Sequence, residues 1–153
     1  MKRNEIEQLF KRALQSVVEN HAKLFTLNVS KRALTHQFAL AIRQFTPAFY
    51  DVDVEYNRHF DNPKRLNLPR RKASDREIRA TTVFPDIIIH RRNTDENLLV
   101  LELKKPNEDL DYDELKLAAF IMELGYLHAA HVILGLNSNG DIIHQIIWHS
   151  NTS

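Results

Sequence analysis

The chain contains no cysteine, which excludes a disulfide framework and any Cys-ligated zinc or iron–sulfur site. Its three glycines, Gly125, Gly135 and Gly140, cannot compose GxxxxGK(S/T) or GxGxxG, so nucleotide binding through a glycine-rich phosphate loop is excluded as well. No apolar run approaches the ~18 residues that span a bilayer. The start, Met1-Lys2-Arg3-Asn4-Glu5-Ile6-Glu7, turns acidic where a secretory leader is apolar. A reducing, cytoplasmic setting without membrane contact is therefore expected. Excess charge of one sign is also missing: the net charge of +1 over 153 residues gives no overall field toward an acidic or basic partner.

What is present is ordinary for a globular chain, with 43% hydrophobic and 27% charged residues. The length fits one domain, which would bury about 68–70% of its unfolded surface. We expect a single unit over residues 1–153, with 1–28 a helical extension and 30–148 the core. Ile6, Leu9, Phe10, Ala13, Leu14, Val17 and Val18 recur at helical spacing and predict an amphipathic first helix. A second helix is predicted over 30–45, capped by Ser30 and stopped by Pro47, with Leu34, Phe38, Ala41, Ile42 and Phe45 inward.

The period then falls to two. Over residues 50–56, Asp51, Asp53 and Glu55 alternate with apolar residues and would share one face of a strand, either solvated or lining a metal cleft. Residues 57–80 carry Pro63, Pro69 and many polar side chains and predict a long loop. Charge concentrates there: residues 58–79 hold eight basic side chains against three acidic ones, and the remaining chain thirteen against seventeen.

Two hydrophobic strands are predicted over 82–90 and 98–104, paired as an antiparallel hairpin across a polar turn. A helix over 112–124 would turn Leu115, Ala118, Ala119 and Met122 to one side and end at Gly125. Strands over 128–136 and 141–148 bracket Asn139-Gly140, a hairpin signal. Among the eight histidines, His128 and His131 would fall on opposite strand faces, and no HExxH occurs. His36 reads as a buried or hydrogen-bonded structural group, and Phe49 and Trp148 as core.

Chemistry is concentrated in Pro85-Asp86 and Leu101-Glu102-Leu103-Lys104. Strand alternation puts Glu102 and Lys104 on one face. If the two strands pair, Asp86 comes beside Glu102. Adjacent carboxylates repel, and an oxygen-preferring cation, Mg²⁺ or Mn²⁺, holds such a pair together. Asp86 and Glu102 are thus candidate metal ligands, and Lys104 a candidate catalytic lysine that orients a metal-activated water and offsets charge on a scissile phosphate. Both polar elements interrupt the most hydrophobic strands of the chain, where a lone charge is expensive.

At these residues the sequence resembles the PD-(D/E)xK nuclease superfamily, and in particular a group of small bacterial members. The resemblance covers about residues 30–136. It rests on Leu34-Thr35-His36-Gln37-Phe38-Ala39, Val54-Glu55-Tyr56-Asn57-Arg58, Phe84-Pro85-Asp86-Ile87-Ile88-Ile89-His90, Leu101-Glu102-Leu103-Lys104-Lys105 and Asp113-Glu114-Leu115-Lys116-Leu117. It implies an α/β (α+β) fold with a restriction-endonuclease-like α-β-β-β-α-β core and a mixed central sheet, to which this chain adds an N-terminal helix and a C-terminal strand. It also implies a Mg²⁺-dependent (or Mn²⁺-dependent) DNA endonuclease, with Asp86 and Glu102 as ligands and Lys104 as the catalytic lysine. Relatives often carry an acid at the start of the second helix, where this chain reads Ser30-Lys31-Arg32. Glu55 is the candidate to replace it as a metal ligand.

The basic segment then has two readings, a solvated loop or a phosphate-binding strip whose sequence-independent contacts weaken with salt. Candidate nucleic-acid contacts are Asn57, Arg58, Lys64, Arg65, Arg70, Arg71 and Lys72. Nucleic acid, most simply DNA, is the expected partner, and cutting both strands would need a homodimer or a partner subunit. The rival expectation is a nuclease-fold module with little or no catalysis that binds nucleic acid or assembles with a partner.

Overall fold

The computed structural model describes residues 1–56, 65–69, 78–82 and 84–149. They form an α+β fold around a five-stranded open mixed sheet. Helices α1 (Arg3–Asn20), α2 (Ala22–Thr26) and α3 (Lys31–Phe45) lead into β1 (Asp51–Val54). Next come β2 (Arg65–Pro69) and β3 (Ile78–Thr82), then β4 (Ile87–His90), β5 (Asn97–Lys104), α4 (Asp111–Leu124), β6 (His128–Leu136) and β7 (Ile142–Trp148). The sheet order is β1-β4-β5-β6-β7, with β2 and β3 forming a separate two-stranded ribbon. All neighbours in the main sheet are antiparallel except β5 and β6. A parallel pair needs a crossover, and α4 supplies it.

One face of the sheet carries Ile87, Ile89, Leu99, Leu101, Leu103, Val132 and Leu134 into a core shared with Phe10 and Leu14 of α1 and Phe38 and Ile42 of α3. The other face sends Ile88, Val100 and Ala129 against Leu117 and Phe120 of α4 and against Tyr126. Every residue of β4 and β5 is buried. These strands are covered on both sides, which is why they read as almost unbroken apolar runs. Ser30 caps α3 as expected, its side chain accepting from the Ala33 N–H, and Gly125 ends α4 at φ 69°. No helix among the described residues is long and apolar enough to cross a membrane.

Several expectations are corrected. The segment 57–80, expected as a loop, contributes β2 and most of β3, paired from Arg65↔Thr82 to Pro69↔Ile78. Thr82 consequently belongs to β3, and the strand expected over 82–90 shrinks to Ile87–His90. Pro85-Asp86 lies just ahead of β4, not inside it. The β4–β5 pairing runs from His90↔Asn97 to Ile87↔Leu101, and beyond it the Leu103 N–H donates to the Asp86 carboxylate at 2.7 Å. A side chain thus takes a donor that an extended strand would have paired with backbone.

The helix 111–124 also turns a different face inward, with Asp113, Leu117, Ala119 and Phe120 buried while Leu115 and Met122 stand 50% and 84% exposed. Apolar residues surround most of this helix, so spacing alone does not select a side. His36 is exposed. Phe49 lies outside the core beneath the Arg91 guanidinium, 4.1 Å from its ring centre. Trp148 does pack, stacked on Phe10 with ring centres 5.7 Å apart.

Candidate active site

The antiparallel β4–β5 register, Ile87↔Leu101 and Ile88↔Val100, sets Asp86 across from Glu102 on the sheet face beneath α4. Glu102 and Lys104 alternate with Leu101 and Leu103, whose side chains enter the opposite core. On the next strand, the parallel pairing Glu102↔His131 brings His131 alongside. Asp86, Glu102, Lys104 and His131 are all buried, and Asp113 of α4 is buried with them.

Ion pairs tie these groups together. The Lys104 ammonium lies 2.5 Å from Asp113 and 3.8 Å from Glu108. The Lys116 ammonium lies 2.8 Å from Glu102 Oε1 and donates to the Phe84 carbonyl at 3.0 Å. Lys31, at the start of α3, reaches Asp86 Oδ2 at 3.2 Å. Glu102 Oε1 is fully buried, and the Lys116 ammonium at 2.8 Å is its close polar contact.

Burial, with the Asp86 charge added and Lys116 opposing, pushes the Glu102 carboxyl up to about 8. Burial acts on Lys31 in the other direction, but Asp86 outweighs it and the ammonium is held above its ordinary value. Burial lowers His131, whose Nε2 is also buried without a hydrogen-bond partner.

Glu55 does not share the face of Asp51 and Asp53. It follows β1 at φ 50°, a left-handed conformation that ends the strand's alternation. Its N–H donates to the Asp86 carbonyl at 3.2 Å, and its carboxylate stands 3.7 Å from Arg32. Glu55, Asp86, Lys31 and Arg32 line a common pocket of about 380 Å³. A larger groove of about 620 Å³ lies between α1 and β7, away from these carboxylates, with Leu14, Val18, Ile146 and Trp148 in its walls.

Asp51 and Asp53 are neither solvated nor paired around a cleft. Asp53 lies 2.6 Å from His90 Nε2 and accepts two bonds from the Arg92 guanidinium at 2.9 and 2.5 Å. Asp51 accepts from the Arg92 N–H at 2.9 Å. Against the upward push of burial, hydrogen bonds from His90 and Arg92 bring the Asp53 carboxyl down to about 2.

Among the described residues no three histidine, aspartate or glutamate side chains form a ready-made metal cage. The donor set at hand is a carboxylate pair, Asp86 and Glu102. It suits Mg²⁺ or Mn²⁺ chemically, because Mg²⁺ commonly takes one or two carboxylates and keeps several waters. The observation in favour is that both carboxylates are buried together, the Asp86 charge acting on Glu102.

Of the expected nucleic-acid contacts, Asn57, Arg58, Lys64, Arg70, Arg71 and Lys72 lie outside the described residues, and Arg65 is placed only as the first residue of β2. Composition and spacing singled out neither the pairing of Lys104 with Asp113 nor that of Glu102 with Lys116. The available signal was that Asp113 and Lys116 stand three apart on α4, a spacing that puts them on one side of a helix. Compared with family models, curated proteins and solved structures, the chain matches none.

Proposed function

We propose that this protein is a metal-dependent nuclease with a restriction-endonuclease-like core, hydrolysing phosphodiester bonds, most simply of DNA. The observation that carries the reading is the placement of Asp86 opposite Glu102, with Lys104 on the same face of β5. Burial, with the Asp86 charge added, raises Glu102 to about 8; a cation would relieve this, and Asp86 and Glu102 are the residues that would hold it, with Glu55 on the wall of the pocket that Asp86 lines. When bound, Mg²⁺ or Mn²⁺ supplies Lewis-acid polarisation of the phosphate and acidifies a water.

The chain's own residues do the rest. Lys104 offsets charge that develops on the phosphate and orients the attacking water, while Asp113 fixes its ammonium from α4. Leu103 and Asp86 lock each other through the 2.7 Å bond, so the carboxylate is positioned before substrate arrives. The basic segment 58–79 supplies phosphate contacts, and a homodimer or partner subunit would supply a second site for duplex cutting.

A second reading has its own observation: an ammonium, Lys31, already sits on Asp86. On that reading the fold binds nucleic acid or a partner without cutting.

The test is cleavage of single-stranded, duplex and branched DNA and of RNA in Mg²⁺ or Mn²⁺ by wild type, Lys104→Ala and Glu102→Gln, with circular dichroism confirming that the variants fold. Metal-dependent cleavage that falls at least ~100-fold in both variants is expected, on the scale of losing a charge stabiliser. Substrates bound and left intact by wild type would leave the binding module.

A further inference from the structure

Four carboxylates and three ammoniums are gathered at the site: Asp86, Glu102, Asp113 and Glu108 against Lys31, Lys104 and Lys116. A divalent cation between Asp86 and Glu102 adds two charges to a region where Glu102 and Asp113 are almost fully buried, and uncompensated charge there is expensive. Such a cation competes with the ammoniums that already hold these carboxylates, and the one most easily displaced leaves.

The three lysines are not equally free to do so. The Lys104 side chain is 9% exposed and is held by Asp113 at 2.5 Å, with Glu108 at 3.8 Å. Lys116, at 12%, is held by Glu102 and by the Phe84 carbonyl. Lys31 has one carboxylate tie, the longest of the three at 3.2 Å, and its side chain is 38% exposed. It also lines the pocket beside Asp86. Its flexible four-carbon stem can rotate outward without disturbing the backbone that Ser30 caps.

We propose that the Lys31 ammonium is a built-in competitor for the metal: it holds Asp86 in the cation-free protein and swings into the pocket when a divalent cation takes its place. This rests on Asp86 and Glu102 being the cation ligands, and it goes further by assigning to Lys31 the control of cation affinity. The arriving cation gains the buried Asp86 and Glu102 carboxylates together, and the bond between Lys31 and Asp86 is what it must break.

The test is calorimetric titration of the full chain with MnCl₂ alone, without nucleic acid, alongside thermal melting with and without Mn²⁺. Lys31→Ala is expected to bind Mn²⁺ at least tenfold more tightly than wild type, to melt lower without metal, and to gain more from Mn²⁺. Lys31→Gln, which keeps much of the stem and drops the charge, should behave likewise, and Lys31→Arg should bind no more tightly than wild type. If Lys31→Ala cannot be folded, Lys31→Gln decides. Equal affinity in wild type and the neutral variants overturns the competitor and leaves the cation site standing. Absence of binding in all of them, at millimolar Mn²⁺, overturns both. Tight binding that survives Glu102→Gln unchanged places the metal elsewhere and also overturns the proposal.

Discussion

The even-numbered positions of β4 and of the residue before it place Asp86, Ile88 and His90 on one sheet face, so two polar clusters lie at the two ends of one short strand. Around His90, the carboxylate of Asp53 receives His90 and both arms of Arg92 and is held near 2. Around Asp86, buried Glu102 has the Lys116 ammonium against one oxygen and is still driven up to about 8. Both clusters set acids and bases around a buried side chain, yet hydrogen bonding outweighs burial in one and fails to in the other. A buried polar network with all its partners specifies structure. One left incomplete stores a cost that a ligand can remove, and perturbed carboxyls are commonly found at functional sites for that reason. The β1–β4 cluster therefore serves the fold, and the β4–β5 cluster is where the proposed chemistry would lie.

The largest effect expected from breaking that contrast comes from Asp53→Ala. It strands buried His90, while the Arg92 guanidinium is half exposed, and should lower stability by up to about 3 kcal/mol, the scale of leaving a buried polar group without its partner. Denaturant unfolding measures it, and Mn²⁺ affinity should not change.

Acid gives a smaller loss at the same residue. The Asp53 carboxyl is held near 2 in the folded protein against 3.8 ordinarily, so its contribution is present above about pH 4 and disappears as pH falls through 2. The amount is ~2 kcal/mol. An acid unfolding series should show this limb in wild type and not in Asp53→Ala.

Glu102 should respond with the opposite sign. A folded-state carboxyl raised to about 8 from 4.5 favours folding below 4.5, and that advantage disappears as pH rises through 8. In EDTA at pH 8.5, Glu102→Gln should therefore be neutral or stabilising by ~1 kcal/mol, as functional residues often are when replaced. A destabilisation as large as that of Asp53→Ala would erase the distinction between the clusters. The smallest effect is expected at Met122, 84% exposed on the outer side of α4, where Met122→Gln should stay within ~0.5 kcal/mol in melting experiments.

Much of this architecture is legible in local pattern. Helical spacing over Ile6 to Val17, the Ser30 cap, the apolar runs around Ile88 and Val100, and Asn139-Gly140 each express a rule confined to a few residues. So does the sharing of one face by Glu102 and Lys104, because strand alternation dictates it. The β2–β3 ribbon was not legible, since Arg65-Leu66-Asn67-Leu68-Pro69 sits among prolines and charges that signal a loop. The inward face of α4 was not either: apolar side chains surround the helix, and Asp113 turns inward to meet Lys104, which lies on a strand. The partners of Asp53, Glu102 and Asp86 come from other elements, and spacing along the chain does not encode distances across a sheet. Lys31 is the clearest case: its local sequence marks only a helix start, and the fold makes it the counter-ion of Asp86, 55 residues away.

The most direct measurement is the crystal structure of the protein soaked in MnCl₂, with manganese located by its anomalous signal. The expected result is a single strong peak bonded to carboxylate oxygens of both Asp86 and Glu102, with the Lys31 side chain turned into the pocket. Manganese bound only at surface acids, or no manganese with Lys31 still on Asp86, would contradict the assignment of this cluster to metal-dependent chemistry.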